Sequence, residues 1–132
     1  MNVNETEKIA FHFIEMAKGK MGDRLSDFTI VELYDIPAHR DFSIDFVAYN
    51  YLFVRLSYSN GSFGCSIVSG KYRTYLKNSQ KRWDNTNFDV FFKELKRELE
   101  LRIPDEYLKA KAKLFENCAF SIINADDLYT PK

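Results

Sequence analysis

Cysteine is scarce in this chain: Cys65 and Cys118 are the only two among 132 residues. One pair cannot form the multi-bridge framework that staples small secreted domains. The opening stretch MNVNETEKIA lacks the basic start and apolar core of a signal peptide. Both cysteines therefore read as free thiols in a cytoplasmic protein. No run of about 18 apolar residues occurs, so a membrane partner is not expected. Net charge is missing as well, with 19 basic residues against 19 acidic. That excludes a bulk basic field holding nucleic acid non-specifically.

Catalytic signatures are equally thin. His12 and His39 are the only histidines, and no spacing ties them to each other, to a lysine or to a carboxylate for acid–base work. No CxxC, HExxH or calcium-loop pattern is present, and Asp126-Asp127 reads as solvated. No GxSxG occurs, and SNGSFG lacks the GK[ST] ending of a phosphate loop. The expectation is no enzyme activity, no metal and no cofactor. Linkers, repeats and low-complexity segments are also absent, so residues 1–132 read as a single domain, long enough to bury a core unaided.

What the chain has in quantity is aromatic: 12 Phe, 8 Tyr and 1 Trp within a 45% hydrophobic composition. Such a surplus fills cores and also supplies interfaces. The pattern predicts a helix over residues 4–18, capped by Asn4 with Glu7 three positions on, and stopped by Gly19 and Gly22. FTIVELYD (28–35) reads as a strand ended by Pro37.

The middle of the chain is the most legible part. Asn60-Gly61 is a strong hairpin signal, because a type I′ turn needs positive φ at both central residues. It pairs Ser59 with Ser62, Tyr58 with Phe63, Leu56 with Cys65 and Val54 with Ile67. Upstream, FSIDFV (42–47) pairs back through a loop at Ala48-Tyr49-Asn50, setting Phe46 opposite Leu52 and Ser43 opposite Arg55. One sheet face then carries Phe42, Ile44, Phe46, Val54, Leu56, Tyr58, Phe63 and Cys65 without a polar break. The other carries Ser43, Asp45, Arg55, Ser57 and Ser66, with Tyr51 and Phe53 at one end. The first face is core. The second is a polar platform. Its rings argue for a covering element, and its serines, each needing a hydrogen-bond partner if buried, argue against one.

KYRTYLKN (71–78) reads as a charged edge strand. Residues 85–103 read as a helix with the stripe Phe88, Phe91, Phe92, Leu95, Leu99 and Ile103, capped by Asn85, Thr86 or Asn87. Pro104 opens a second helix running to about Asn117. CAFSII is open between a strand and a packed extension, and Asp126 to Lys132 reads as a frayed tail. The expected fold is α+β: an antiparallel meander of four to five strands, with an N-terminal helix and two C-terminal helices on its apolar face.

Two surfaces have the chemistry of binding. Lys71, Arg73, Lys77, Lys81 and Arg82 interleave with Tyr72, Tyr75 and Trp83, the shape of a local nucleic-acid footprint or of a solubilised edge. Overall neutrality favours the edge. Asp84, Asp89 and Glu94 follow, suited to a basic partner or to helix solvation.

The segments VELYDIPAHRDFSIDF, VRLSYSNGSFGCSI and YLKNSQKRWDNTNFDVFFKELKRELELRIPDEYL together resemble small bacterial immunity proteins, found beside toxins of contact-dependent growth inhibition and related polymorphic toxin systems. The likeness spans roughly residues 30–108 and is one of layout and local phrasing. It implies a cytoplasmic protein that neutralises a cognate toxin domain by occluding its active site or substrate groove. It carries no catalytic residues. Immunity proteins against nucleases are often strongly acidic, and this chain is not, so a nuclease partner is compatible but not indicated. Candidate partner-binding residues are Asp45, Tyr51, Phe53, Arg55, Tyr72, Tyr75, Trp83, Asp84 and Asp89. The other reading is a small nucleic-acid-binding domain using residues 71–83.

Overall fold

A computed structural model describes residues 5–110, the side chain of Asn78 excepted. The chain divides into two compact units, Met1–Leu99 and Glu100–Lys132. The class is α+β, as expected, with one antiparallel sheet and flanking helices.

Helix α1 (Glu5–Met21) buries a stripe of Thr6, Ala10, Phe13, Ile14, Ala17 and Met21 at three- and four-residue spacing. Gly19 does not end it. The helix runs on to Met21, and Gly22 in left-handed conformation turns the chain out of it. The proposed cap at Asn4 lies outside the described residues.

Five strands form a meander: β1 (Leu25–Ile36), β2 (His39–Ala48), β3 (Leu52–Ser59), β4 (Ser62–Ser69) and β5 (Tyr72–Tyr75), hydrogen-bonded in that order. A two-residue strand, β6 (Lys81–Arg82), also pairs with β4. β1 is longer than its hydrophobic pattern predicts. Two irregularities, one at Asp27 with positive φ, interrupt its alternation.

Asn60 and Gly61 both have positive φ, and the β3–β4 register is the expected one. The β2–β3 register is two residues away from expectation: Phe46 faces Val54, and Asp45 rather than Ser43 faces Arg55. The cause is the turn. Tyr49 and Asn50 both take positive φ. Tyr49 is buried, its N–H donating to the Arg24 carbonyl at 2.7 Å, so the connection sits one residue further along. An even slip leaves every side chain on its own face.

The expected edge strand at 71–78 is shorter than its pattern predicts and ends at Tyr75. After β5 the chain leaves the ladder in a 3₁₀ turn at Lys77–Ser79 and returns as β6, three residues out of register. Leu76 drops into the core, and Ser79 Oγ accepts the Cys65 N–H at 2.8 Å while donating to the Leu76 carbonyl at 2.6 Å. A side chain thus replaces the missing ladder bond.

Helix α2 (Phe88–Glu100) starts later than expected, because residues 83–85 form their own 3₁₀ turn. Asn87 is the cap, its side-chain oxygen accepting the N–H of Asp89 at 3.0 Å and of Val90 at 3.3 Å. Phe91, Phe92, Leu95 and Leu99 are buried. Phe13 of α1 and Phe63 of β4 both meet Phe91, with ring centroids 6.4 and 5.2 Å apart. Both helices therefore cover the face that carries Phe42, Ile44, Phe46, Leu56 and Cys65, each no more than 2% exposed.

In the second unit, residues 105–110 are helical, and the Leu108 N–H donates to the Pro104 carbonyl at 3.0 Å. The expected continuation to Asn117, the alternatives for CAFSII, and the tail from Asp126 lie outside the described residues. Among the described residues no helix is long and apolar enough to cross a membrane.

Candidate functional site

The sheet face away from α1 and α2 is built in cross-strand rows. One row runs Ser26, Val47, Phe53, Val68, Arg73. The next runs Thr29, Asp45, Arg55, Ser66, Tyr75, and a third runs Glu32, Ser43, Ser57, Gly64. Pleating puts all of them on one side, because directly paired residues share a face.

This face is open. Phe53 is 65% exposed, Tyr75 59% and Tyr51 44%. A sheet face that leaves rings of that size in solvent is a candidate interaction surface. At the centre Arg55 forms a two-pronged ion pair with Asp45, Nε to one carboxylate oxygen at 2.6 Å and Nη2 to the other at 2.9 Å. The hydrogen bond to Asp45 raises the Arg55 pKa further above its ordinary value. The pair is rigid and self-neutralising, so it positions more than it attracts.

Arg73 behaves differently. Its guanidinium donates to Ser66 Oγ from Nε at 3.3 Å and from Nη2 at 3.1 Å, and to Ser57 Oγ at 3.3 Å. It lies 5.3 Å from the Tyr75 ring centroid. Arg73 takes part in none of the ion pairs among the described residues. The platform serines thus serve as acceptors for an arginine. Ser66 is buried, and the cover is the side chain of Arg73.

Beside Phe53 lies a pocket of about 450 Å³, lined by Val47, Phe53, Val54 and Val68 with Asp27, Asp45, Phe46 and Gly70. At the other end Gly64 is roofed by Gln80: a Cβ on Gly64 would sit 2.1 Å from Gln80 Nε2. The missing side chain of Gly64 admits a close approach, and the approaching group is this chain's own glutamine.

The nine sequence-derived candidates do not form one site. Asp45, Phe53, Arg55 and Tyr75 share the open face, with Tyr51 exposed at the adjoining turn. Tyr72 is 70% exposed but pairs with Ser69 and points to the other side. Trp83 belongs to the helical side, its ring 5.4 Å from Phe63, 4.9 Å from Phe88 and 6.2 Å from His12. Asp84 is exposed near the Asn60-Gly61 turn. Asp89 pairs with Lys20 of α1, which lowers its carboxyl pKa below the ordinary range.

The histidines are separated by the sheet. His12 is on α1, whereas His39 of β2 sits 3.1 Å from Asp41 and against Tyr34. Cys65 is fully buried, and burial pushes its thiol pKa up to about 12, so it is not a nucleophile. Among the described residues no group of His, Cys, Asp and Glu could hold a metal ion.

No protein-family model, no curated protein and no solved structure matches the chain.

Arg73, Val47 and Val68 were missed as site residues. The register of β4 against β5 would have joined Arg73 to Val68, and Val47 belongs to the same row through its pairing with Phe53. That register was illegible because the 3₁₀ turn at Lys77–Ser79 hides where the edge strand ends.

Proposed function

We propose that this chain is a toxin-neutralising immunity protein of the kind that accompanies contact-dependent growth-inhibition toxins. It acts in the bacterial cytoplasm by binding a cognate toxin domain and blocking that domain's active site or substrate groove. The observation that carries this reading is the open sheet face, with three exposed rings around a rigid Asp45–Arg55 pair.

Exposed aromatics and arginine are the residue types that dominate binding energy at protein interfaces. Five strands span about 19 Å and eight residues about 27 Å, so the flat face offers on the order of 500 Å². A standard interface buries about 800 Å² on each partner. The turn at Tyr51 and the long edge strand β1 supply the remainder. Inhibition follows from occupancy alone and needs no chemistry from the chain.

Nucleic-acid binding through residues 71–83 draws less support. Lys81 pairs with Glu94 at 3.5 Å, Arg82 lies over Gly61 and bonds Ser62, and Trp83 is packed between rings. The run is spread over two faces and offers no continuous stacking track.

The test is growth rescue. Co-expression of this chain should protect cells from a toxin encoded beside its gene, and Phe53→Glu should abolish protection while far-UV circular dichroism stays unchanged. Absence of protection and of co-purification with every neighbour-encoded toxin would remove the proposal.

A further inference from the structure

Two arginines lie on the platform, Arg55 in its middle and Arg73 on the strand at its edge, and only Arg55 has a carboxylate partner among the described residues. Arg55 is held by both oxygens of Asp45. Arg73 is held by serine hydroxyls alone. Among the described residues no acid of the face forms an ion pair with it. Glu32 lies on β1, four strands away from Arg73 on β5, while Asp27, also on β1, lines the same pocket as Val68, the cross-strand partner of Arg73. Four strand spacings are about 19 Å, beyond the screening length of about 8 Å in physiological salt. Arg73 is therefore a guanidinium outside the ion pairs of the described residues, oriented by the bonds from Nε and Nη2 to Ser66 and Ser57, none of which uses Nη1. That pre-organisation lowers the entropy lost when a carboxylate docks.

Arg73 also ends the row Val47, Phe53, Val68. The three apolar residues line the 450 Å³ pocket, within the size range that accepts a large side chain or small ligand. A mostly apolar pocket, with Asp27 and the Arg55-paired Asp45 on its wall, and a cation outside the ion pairs of the described residues thus lie side by side.

We propose that this row is a recognition site for an acidic peptide segment, with an apolar side chain filling the pocket at Phe53 and a neighbouring carboxylate pairing with Arg73. The inference rests on the open face being the partner surface. It assigns the partner's contact loop a chemistry, apolar next to Asp or Glu, rather than the cationic surface that Asp84 and Asp89 suggested. Asp89 is already engaged by Lys20, and Asp45 by Arg55.

The test needs no toxin. Isotope-labelled full-length protein is titrated with acetyl-Leu-Glu-Leu-amide, its Gln counterpart, its Lys counterpart and inorganic phosphate, and followed by amide and arginine Nε NMR. The Glu peptide should bind with a Kd on the order of 1 mM, about three- to tenfold tighter than the Gln peptide. Shifts should centre on Phe53, Val68 and Arg73 Nε. Arg73→Gln should erase the difference between the Glu and Gln peptides, and Phe53→Ser should weaken both equally. The inference is overturned if the Gln or Lys peptide binds as well as the Glu peptide, if none binds, or if the shifts map elsewhere. It is overturned too if phosphate reproduces the Arg73 shift more strongly than the Glu peptide, which would assign the site to a phosphate-bearing partner. Any of these outcomes leaves the growth-rescue result standing, and a failed rescue leaves the peptide result standing.

Discussion

Replacing Ser79 with alanine should expose how the broken edge of the sheet is held. Cys65 is fully buried, and its backbone N–H has the Ser79 hydroxyl as acceptor at 2.8 Å. Alanine removes that acceptor where water has little access. An orphaned buried donor costs about 1–3 kcal/mol. The loss is readable against a total stability of about 5–15 kcal/mol. At roughly 3–5 °C per kcal/mol for a chain of this length, the midpoint should fall by about 3–15 °C. Urea unfolding followed by circular dichroism gives the energy, and amide exchange gives the location. The Cys65 amide should exchange faster, while that of Val54, two strands from the edge, should not change. Ser59→Ala on the exposed hairpin is the control and should stay within about 0.5 kcal/mol of the parent. If Ser79→Ala matched that control, the side-chain clamp would not be what holds the edge, and the reasoning would fail.

Three other outcomes follow from named contacts. Gly64→Ala should destabilise by forcing Gln80 aside, and adding Gln80→Ala should recover most of the loss, a coupling of about 1 kcal/mol in a double-mutant cycle; additive effects would show that the two do not touch. In a Cys118→Ser background the remaining Cys65 thiol, with its pKa pushed to about 12 by burial, should resist thiol reagents at pH 8 until the protein is unfolded; prompt labelling of the folded protein would contradict the burial. Lys20→Met should return the Asp89 carboxyl pKa upward toward the ordinary range, as read by carboxyl NMR. Because the folded value is depressed, the pair stabilises above the ordinary aspartate range and stops doing so as pH falls through the folded value. The variant should therefore lose this part of the acid dependence, and an unmoved Asp89 titration would refute the pairing.

Much of this fold was legible because period-two alternation is a strong signal. Phe42, Ile44 and Phe46 on one strand, and Val54, Leu56 and Tyr58 on the next, mark the core side whatever the register. The same periodicity explains the error at the β2–β3 turn: a shift of two residues is invisible to it. The burial of Tyr49 and its bond to Arg24 help fix the turn, and these depend on a 3₁₀ turn remote in sequence. The edge strand was misread for a similar reason. Leu76 and Ser79 serve Cys65 across the sheet, and nothing local in YLKNSQ announces it. The candidate site was legible as a face but not as a set. Trp83, Asp84 and Asp89 follow Tyr75 closely in sequence, yet the 3₁₀ turns at Lys77–Ser79 and Trp83–Asn85 carry the chain round to the helical side. Sequence proximity suggested one surface where the structure has two.

Calorimetric titration of the neighbour-encoded toxin domain is the most direct measurement, using the parent chain, Phe53→Ala on the open face and Phe11→Ala on α1. Phe53 and Phe11 are exposed rings, 65% and 49%, on opposite sides of the sheet. The parent should bind, Phe53→Ala should weaken binding by about 30-fold or more, as expected of a central anchor, and Phe11→Ala should leave it nearly unchanged. Loss of binding in Phe11→Ala with Phe53→Ala unaffected would place the interface on the helices and contradict the account.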